Sequence, residues 1–293
     1  MSDLEVTTKP APVIVLTGAT SGLGRLAAVR LAEQGAHLVL PARNREKAAA
    51  VVSLIRQRTP EAIIETPIAD LSRMDEVRRL GRHISDTHAR VDVLINNAGL
   101  HAFEARTTAD GYPEMVAVNY FAPWLLTHEL GPALEAAPAA RVVTVASEAS
   151  RRHGTLRLPE DLTATPPFTT RGSSQHYGKS KLLDIMFTKE LARRCIATTI
   201  TALCLDPGFN VTGLGREVRG AALLERLLTA LRIGDPRKGA DLIVSLATDP
   251  AFARRNGEYW TVRGPSMIEP AAPGDDSELQ NALWQATEEL LLR

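Results

Sequence analysis

Residues 13–24 read VIVLTGATSGLG, a short β-branched run followed at once by three glycines, Gly18, Gly22 and Gly24, and then by the helix-patterned stretch RLAAVRLAEQG (25–35). A strand that turns into a helix through glycines lets the backbone approach an anion closely. The first amides of the helix carry partial positive charge that stabilises a pyrophosphate. Gly18, Thr20, Ser21, Gly22, Leu23 and Gly24 are therefore expected to cradle a nucleotide. Glycines also serve ordinary tight turns, so the surrounding order of elements decides between the two readings.

That order is regular. The apolar runs VIVLT (13–17), AHLVL (36–40), AIIETP (62–67), VDVLI (91–95), RVVTVA (141–146) and TTITALCL (198–205) alternate with longer amphipathic stretches. The runs lack polar alternation, as in parallel strands covered by helices on both faces. The expectation is an α/β fold: one doubly wound (Rossmann) domain over 12–293, after a loose lead-in at 1–11, with about seven mostly parallel strands. Two segments break the rhythm. The Pro/Thr-rich stretch 153–172 is too long for a simple connection and is expected to shape a pocket edge; 208–236 mixes glycines with an amphipathic helix, as a lid would.

Composition narrows the function. The 293 residues hold 34 basic and 34 acidic side chains, with 44% hydrophobic and 23% charged residues. A balanced globular chain gives no electrostatic footprint for a nucleic acid or an anionic membrane. It has no apolar run of about 18 residues, so no integral membrane segment is expected. The start lacks the pattern of a secretory signal, and Cys195 and Cys204 read as buried thiols in a reducing compartment, which together predict a cytoplasmic protein. No His or Cys cluster has ligand spacing, so no metal site is expected. Whether the chain forms a homo-oligomer is left open.

YGKSK (177–181) places Tyr177 and Lys181 four residues apart, on one face of a helix. Tyrosine, with a pKa of about 10, is a poor base near neutrality, and lowering it by two to three units takes roughly 3–4 kcal/mol. One ammonium about 4 Å away at an effective dielectric near 20 supplies on the order of 4 kcal/mol before desolvation, so Lys181 alone is expected nearly to suffice. His176 points elsewhere on the helix and is given no catalytic role. His101 and His153 lie in pocket-forming regions and are expected to be solvated loop residues, with contact to substrate as the alternative for each.

The Gly-x-x-x-Gly-x-Gly turn, NNAG at 96–99, Asn119, Ser147 beyond a strand, YGKSK, and DPG at 206–208 occur in that order. Together they resemble the short-chain dehydrogenase/reductase family over roughly 12–265. The resemblance implies that Tyr177 passes a proton to or from a substrate oxygen, with Ser147 hydrogen-bonding that oxygen. It also implies that Lys181 holds the nicotinamide ribose and that Asn119 positions a water joining Lys181 to solvent. Asp70, Leu71, Asn97, Ala98, Gly99, Pro207 and Gly208, with Tyr177 and Lys181, would complete the cofactor site beside the glycine cradle. Asp70 resembles the residue that caps the adenine amino group; a helix N-cap through Asp70 or Ser72 is the alternative. Ser147 read singly could be a turn-forming hydroxyl, and Asn119 a helix surface residue.

In LVLPARNREK (38–47), Ala42 stands where an acid for the adenosine ribose would be expected, and Arg43 follows. An arginine there suits a phosphate monoester, so NADP(H) is favoured over NAD(H); the alternative for Arg43 is a solvated surface residue. The long interval from Ser147 to Tyr177, the PAR ending of the second strand and DPGFNVTGLGREV resemble the branch that holds retinol dehydrogenases and light-dependent protochlorophyllide reductase. A hydrophobic small-molecule carbonyl or alcohol is the implied substrate, with reductase-like C=C reduction as an alternative. A non-catalytic NADP sensor would have no need of Ser147, Tyr177 and Lys181, and TVASEAS (144–150) lacks the Gly-x-Ser-x-Gly elbow of a serine hydrolase.

Overall fold

In the computed structural model, residues 10–208, 235–264 and 266–293 are described. Most of the lead-in and nearly all of the expected lid, 209–234, lie outside the described residues. Eight strands form one sheet: β1 (Val13–Leu16), β2 (His37–Val39), β3 (Ile64–Glu65), β4 (Val93–Asn96), β5 (Arg141–Val145), β6 (Thr201–Asp206), β7 (Tyr259–Thr261) and β8 (Ser266–Met267). Their spatial order is β3-β2-β1-β4-β5-β6-β7-β8, and all pairings are parallel except β7 with β8. The expected doubly wound sheet is therefore present, with a short antiparallel eighth strand at its edge.

Successive strand residues serve opposite helix layers. Val15, Leu94, Val142 and Ala202 face a core that includes residues of α3 (Met74–Thr87), of the helical run through 114–129, of the helix Thr170–Arg194 and of the terminal helix Ser277–Leu291. Their neighbours Ile14, Leu16, Ile95, Val143 and Leu203 face a second core built on α1 (Gly22–Glu33), α2 (Arg45–Arg58) and the helix Pro236–Thr248. Burial on both faces explains why these runs read as continuously apolar. The terminal helix is fixed through polar as well as apolar contacts: Tyr120 Oη lies 2.6 Å from Thr287 Oγ1, and Trp124 meets Trp284 edge-on.

The helical run 114–129 is not uniform. Glu114–Val116 and Ala122–Glu129 are α-helical, but Ala117–Phe121 between them is a π-turn. Wide turns of this kind commonly mark functional positions. The stretch 153–172 is also more ordered in form than a plain loop, since Glu160–Thr163 is helical and the long helix begins at Thr170. Among the described residues no helix is long and apolar enough to cross a membrane.

Candidate active site

The chain reverses direction across the sheet between β1 and β4, which opens a crevice at the carboxyl ends of these strands. β1 runs into the glycine turn, where Gly18 and Gly22 adopt φ of +72° and +53°. Side chains rarely tolerate that conformation. Gly24 is required by proximity instead: a Cβ there would lie 2.4 Å from the Gly18 carbonyl oxygen and 2.5 Å from Asn97 Nδ2. Ser21 precedes α1 without a side-chain cap bond, which leaves the first helical amides to a ligand.

Asn97 serves this turn from below. Its Nδ2 donates to Thr17 O at 2.9 Å and to Gly18 O at 3.4 Å, while the amides of Asn97 and Ala98 both donate to Thr17 Oγ1 at 3.0 Å. The Asn97 side chain is thus committed to shaping the cradle. Thr17, which sequence reasoning did not single out, joins the two loops. Leu23 is buried in its helix layer, and Leu71 is partly buried against the other. A narrow, backbone-walled cradle at a helix N-terminus fits the pyrophosphate of a dinucleotide.

Asp70 is engaged locally. Its Oδ1 accepts from Ser72 N at 3.0 Å and from Ser72 Oγ at 2.8 Å, and its own amide donates to Glu76 Oε2. Neither Asp70 nor Ser72 caps α3; the amide of Met74 is instead capped by Asp110 Oδ2 at 2.7 Å. Ala42 is buried at the end of the second strand, where it bridges to Ile68, and Arg43 beyond it is exposed. Asn44 then caps α2 by accepting from Lys47 N. Arg43 forms no ion pair among the described residues, so its guanidinium is available to a phosphate.

On the other side of the crevice, the helix Thr170–Arg194 carries Tyr177 and Lys181 against the turn after β5. Gly178 allows that approach, because a Cβ there would sit 2.4 Å from Ala149 O. Ser147 caps the 3-10 turn Glu148–Arg152, accepting from Ala149 N at 3.1 Å, and stands close enough to Tyr177 to pull its pKa down. Its turn-forming role and its place beside the tyrosine are both present. Asn119, in the π-turn, is buried: its Oδ1 accepts from Leu100 N at 2.8 Å, and its Nδ2 donates to Leu100 O and to Ser180 Oγ. Ser180 in turn donates to Tyr177 O. Asn119 therefore ties the loop after Gly99 to the tyrosine helix and is no surface residue.

Electrostatically the tyrosine differs from the expectation. Lys181 Nζ donates to Val145 O at 2.8 Å and to Asp184 Oδ2 at 2.9 Å, and lies 6.0 Å from the Tyr177 ring centre. Burial raises the Tyr177 pKa above its ordinary value; Lys181 and Ser147 pull it down, while Asp184 and Asp206 push it up. The expectation that Lys181 nearly suffices is corrected: its charge is shared with a buried carboxylate, and desolvation of the phenolate outweighs what remains. Burial also opposes the Lys181 charge, but Asp184 and Tyr177 overcome it and hold its pKa high. Burial pushes the Asp184 carboxyl up to about 6 against the pull of Lys181, and its Oδ1 has no hydrogen-bond partner among the described residues.

Two further side chains complete the surroundings. Asp206, at the end of β6, accepts from Glu148 N and Thr261 Oγ1, fixing the Ser147 turn to the strand that leads into Pro207 and Gly208. Gly208 has φ of +74°. His101 stacks on Tyr177 with ring centres 4.7 Å apart and on Phe103 at the same separation, with Nε2 3.2 Å from Ser173 Oγ. It is a packed residue against the tyrosine, contrary to the solvated state expected. His153 contacts Ala272 O, and His176 stacks on Phe168 beside a cleft lined by Ala102, Met115, Asp161 and Lys179. That cleft is walled on one side by Asp161, Ala164, Thr165, Pro166 and Phe168 of the 153–172 segment.

Residues 12–158 match the short chain dehydrogenase family. Human retinol dehydrogenase 13 is 30% identical over 97% of this chain and 86% of its own length. A Streptomyces sp. (strain C5) protein, DnrU, described as a candidate daunorubicin C-13 ketoreductase, is 33% identical over 95% of this chain and 92% of its own. Among solved structures, an uncharacterised protein from Mycobacterium paratuberculosis superposes with a TM-score of 0.75 at 27% identity, covering 97% of this chain and 95% of that one. A candidate NAD(P)-dependent gluconate 5-dehydrogenase from Beutenbergia cavernae, with NADP bound at low occupancy, gives 0.66 at 27% identity over 86% and 95%.

Proposed function

Because the chain belongs to the short-chain dehydrogenase/reductase family, in its retinol dehydrogenase-like branch, we propose that it is an NADP(H)-dependent oxidoreductase acting on a carbonyl or alcohol of a hydrophobic small molecule. The observation that carries this reading is Tyr177 beside Ser147 and Lys181, with the Lys181 ammonium close to Gly99 in the same loop whose Asn97 shapes the glycine cradle. When bound, the nicotinamide supplies or accepts the hydride. The chain supplies the rest. Ser147 orients the substrate oxygen, and the Tyr177 hydroxyl delivers its proton in reduction or takes one in oxidation. Lys181 stays charged beside it and favours the phenolate. The cradle holds the pyrophosphate and Arg43 the 2′-phosphate.

The hydrophobic substrate class is supported by His101, which stacks on Tyr177 and on Phe103, by the apolar residues Ala102, Met115 and Phe168 of the cleft beside His176, and by relatives named for retinol and daunorubicin. The direct test is NADPH consumption by purified protein over panels of hydrophobic aldehydes, ketones and quinones. Turnover of at least one carbonyl class is expected. Tight NADPH binding with no turnover of any panel member would identify a dinucleotide sensor instead.

Asp184 gives this reading a pH signature. Removing its negative charge stabilises the phenolate relative to the phenol, so Asp184→Asn lowers the Tyr177 pKa. In the oxidative direction the phenolate is the base and activity rises through that pKa. The acid limb of the kcat/KM profile should therefore move to lower pH, by roughly one unit for a carboxylate partly offset by Lys181. A limb that stays in place, or moves up, would detach Asp184 from the tyrosine.

A further inference from the structure

At the far end of β2 from Arg43, three side chains distant in sequence converge. His37 opens β2, Glu65 closes β3, and His88 follows the last turn of α3, its amide bonded to Ile84 O. His37 Nε2 lies 2.6 Å from Glu65 Oε1, and His88 Nε2 lies 3.4 Å from the same oxygen. One ligand atom from each residue lies within 4.8 Å of the others. The two imidazoles meet edge to face, with centres 5.2 Å apart and planes at 76°. Their ring edges can therefore address one point without stacking.

We propose that His37, Glu65 and His88 form a binding site for a zinc-class divalent cation. Two imidazole nitrogens and one carboxylate oxygen are a donor set that suits borderline cations, and a tetrahedral zinc with bonds of about 2.0–2.1 Å holds its ligands about 3.4 Å apart. The present separations bracket that value, so the cation needs side-chain adjustment and no movement of a strand. Side-chain exposure falls from 37% at Glu65 through 21% at His37 to 8% at His88. The cation would enter at the carboxylate, with water filling its fourth position. Binding replaces the hydrogen bond between His37 and Glu65, and any proton held between the ligands is released to solvent.

The site joins three elements that otherwise meet weakly. β3 contributes only two residues and forms the sheet edge, paired to β2 through Leu38 with Ile64 and Val39 with Glu65. A cation held by β2, β3 and the end of α3 would fasten that edge strand to the layer above it. The role is structural, because none of the three residues takes part in the glycine cradle or in the contacts of Tyr177.

Zinc chloride titrated calorimetrically into chelator-treated full-length protein is expected to bind at one equivalent and to raise the thermal midpoint by mass action. Glu65→Gln, at a half-exposed position and of nearly the same shape, should weaken binding about a hundredfold or more, since loss of outer-shell partners alone costs tenfold to a hundredfold. His37→Gln with His88→Gln should abolish the midpoint shift, circular dichroism confirming that each variant is folded. Magnesium, which demands oxygen ligands in octahedral array, should not substitute. Absence of zinc binding, or equal binding by parent and Glu65→Gln, would overturn the proposal.

Discussion

Tyr177→Phe is expected to lower kcat/KM by about a thousandfold, within the range that positioned proton transfer contributes, while NADPH affinity and thermal stability stay near those of the parent. The substitution removes one hydroxyl and keeps the ring that stacks on His101. Ser147, beside the oxygen lost, keeps its place as the cap of its own turn. Steady-state kinetics on any carbonyl found in the panel, with NADPH binding followed by fluorescence, separates the two effects. A variant with parental turnover would remove Tyr177 from the proton-transfer step and leave the fold and the cradle untouched.

The second large effect concerns cofactor choice. Arg43→Ala should weaken NADPH binding roughly tenfold to a hundredfold, the equivalent of about 1.5–3 kcal/mol for a charge-assisted contact, and leave NADH nearly unchanged. The exposed guanidinium makes no ion pair among the described residues, so its removal breaks no structural link. Adding Ala42→Asp should reverse the preference, because a carboxylate accepts from ribose hydroxyls and repels a phosphate. Ala42 is only 6% exposed and bridges to Ile68, so the double variant is also expected to lose thermal stability. Equal binding of NADPH and NADH by the parent would make Arg43 a solvated surface residue. The Tyr177 mechanism would survive that result.

The parts of this site legible in the sequence are those where one local element dictates the chemistry. The glycine turn reads directly, because positive φ at Gly18 and the 2.4 Å approach at Gly24 both require glycine. Tyr177 and Lys181 share a helix face by spacing, and only the ordered motifs around them give that spacing a chemical reading. What stayed hidden depends on partners from elsewhere in the chain. Asp184 looks like any polar residue one turn beyond Lys181, and only the fold shows it as the lysine's counter-charge; burial of Tyr177 first, and Asp184 after it, raise the tyrosine's pKa against the pull of Lys181. The helix cap that is the alternative reading of Asp70 or Ser72 falls instead to Asp110, forty residues from Asp70. His37, Glu65 and His88 lack any motif spacing because parallel strands bring together residues separated by whole crossovers. The 153–172 segment hid a helical turn, Glu160–Thr163, under a composition typical of loops.

The π-turn at Ala117–Phe121 bears on how this chain is aligned and redesigned. A wide turn accommodates one residue more than the α-helix around it, so its removal as a single-residue gap would regularise the helix and improve every local propensity. It would also rotate all that follows by about 100° relative to what precedes. Asn119 would then leave Ser180 and Leu100, and Tyr120 would leave Thr287, detaching the tyrosine helix and the terminal helix from one deletion. An idealised backbone would thus discard the irregularity that keeps two distant helices in phase, and an alignment that slides its gap across 117–121 would assign the asparagine's position to a core residue.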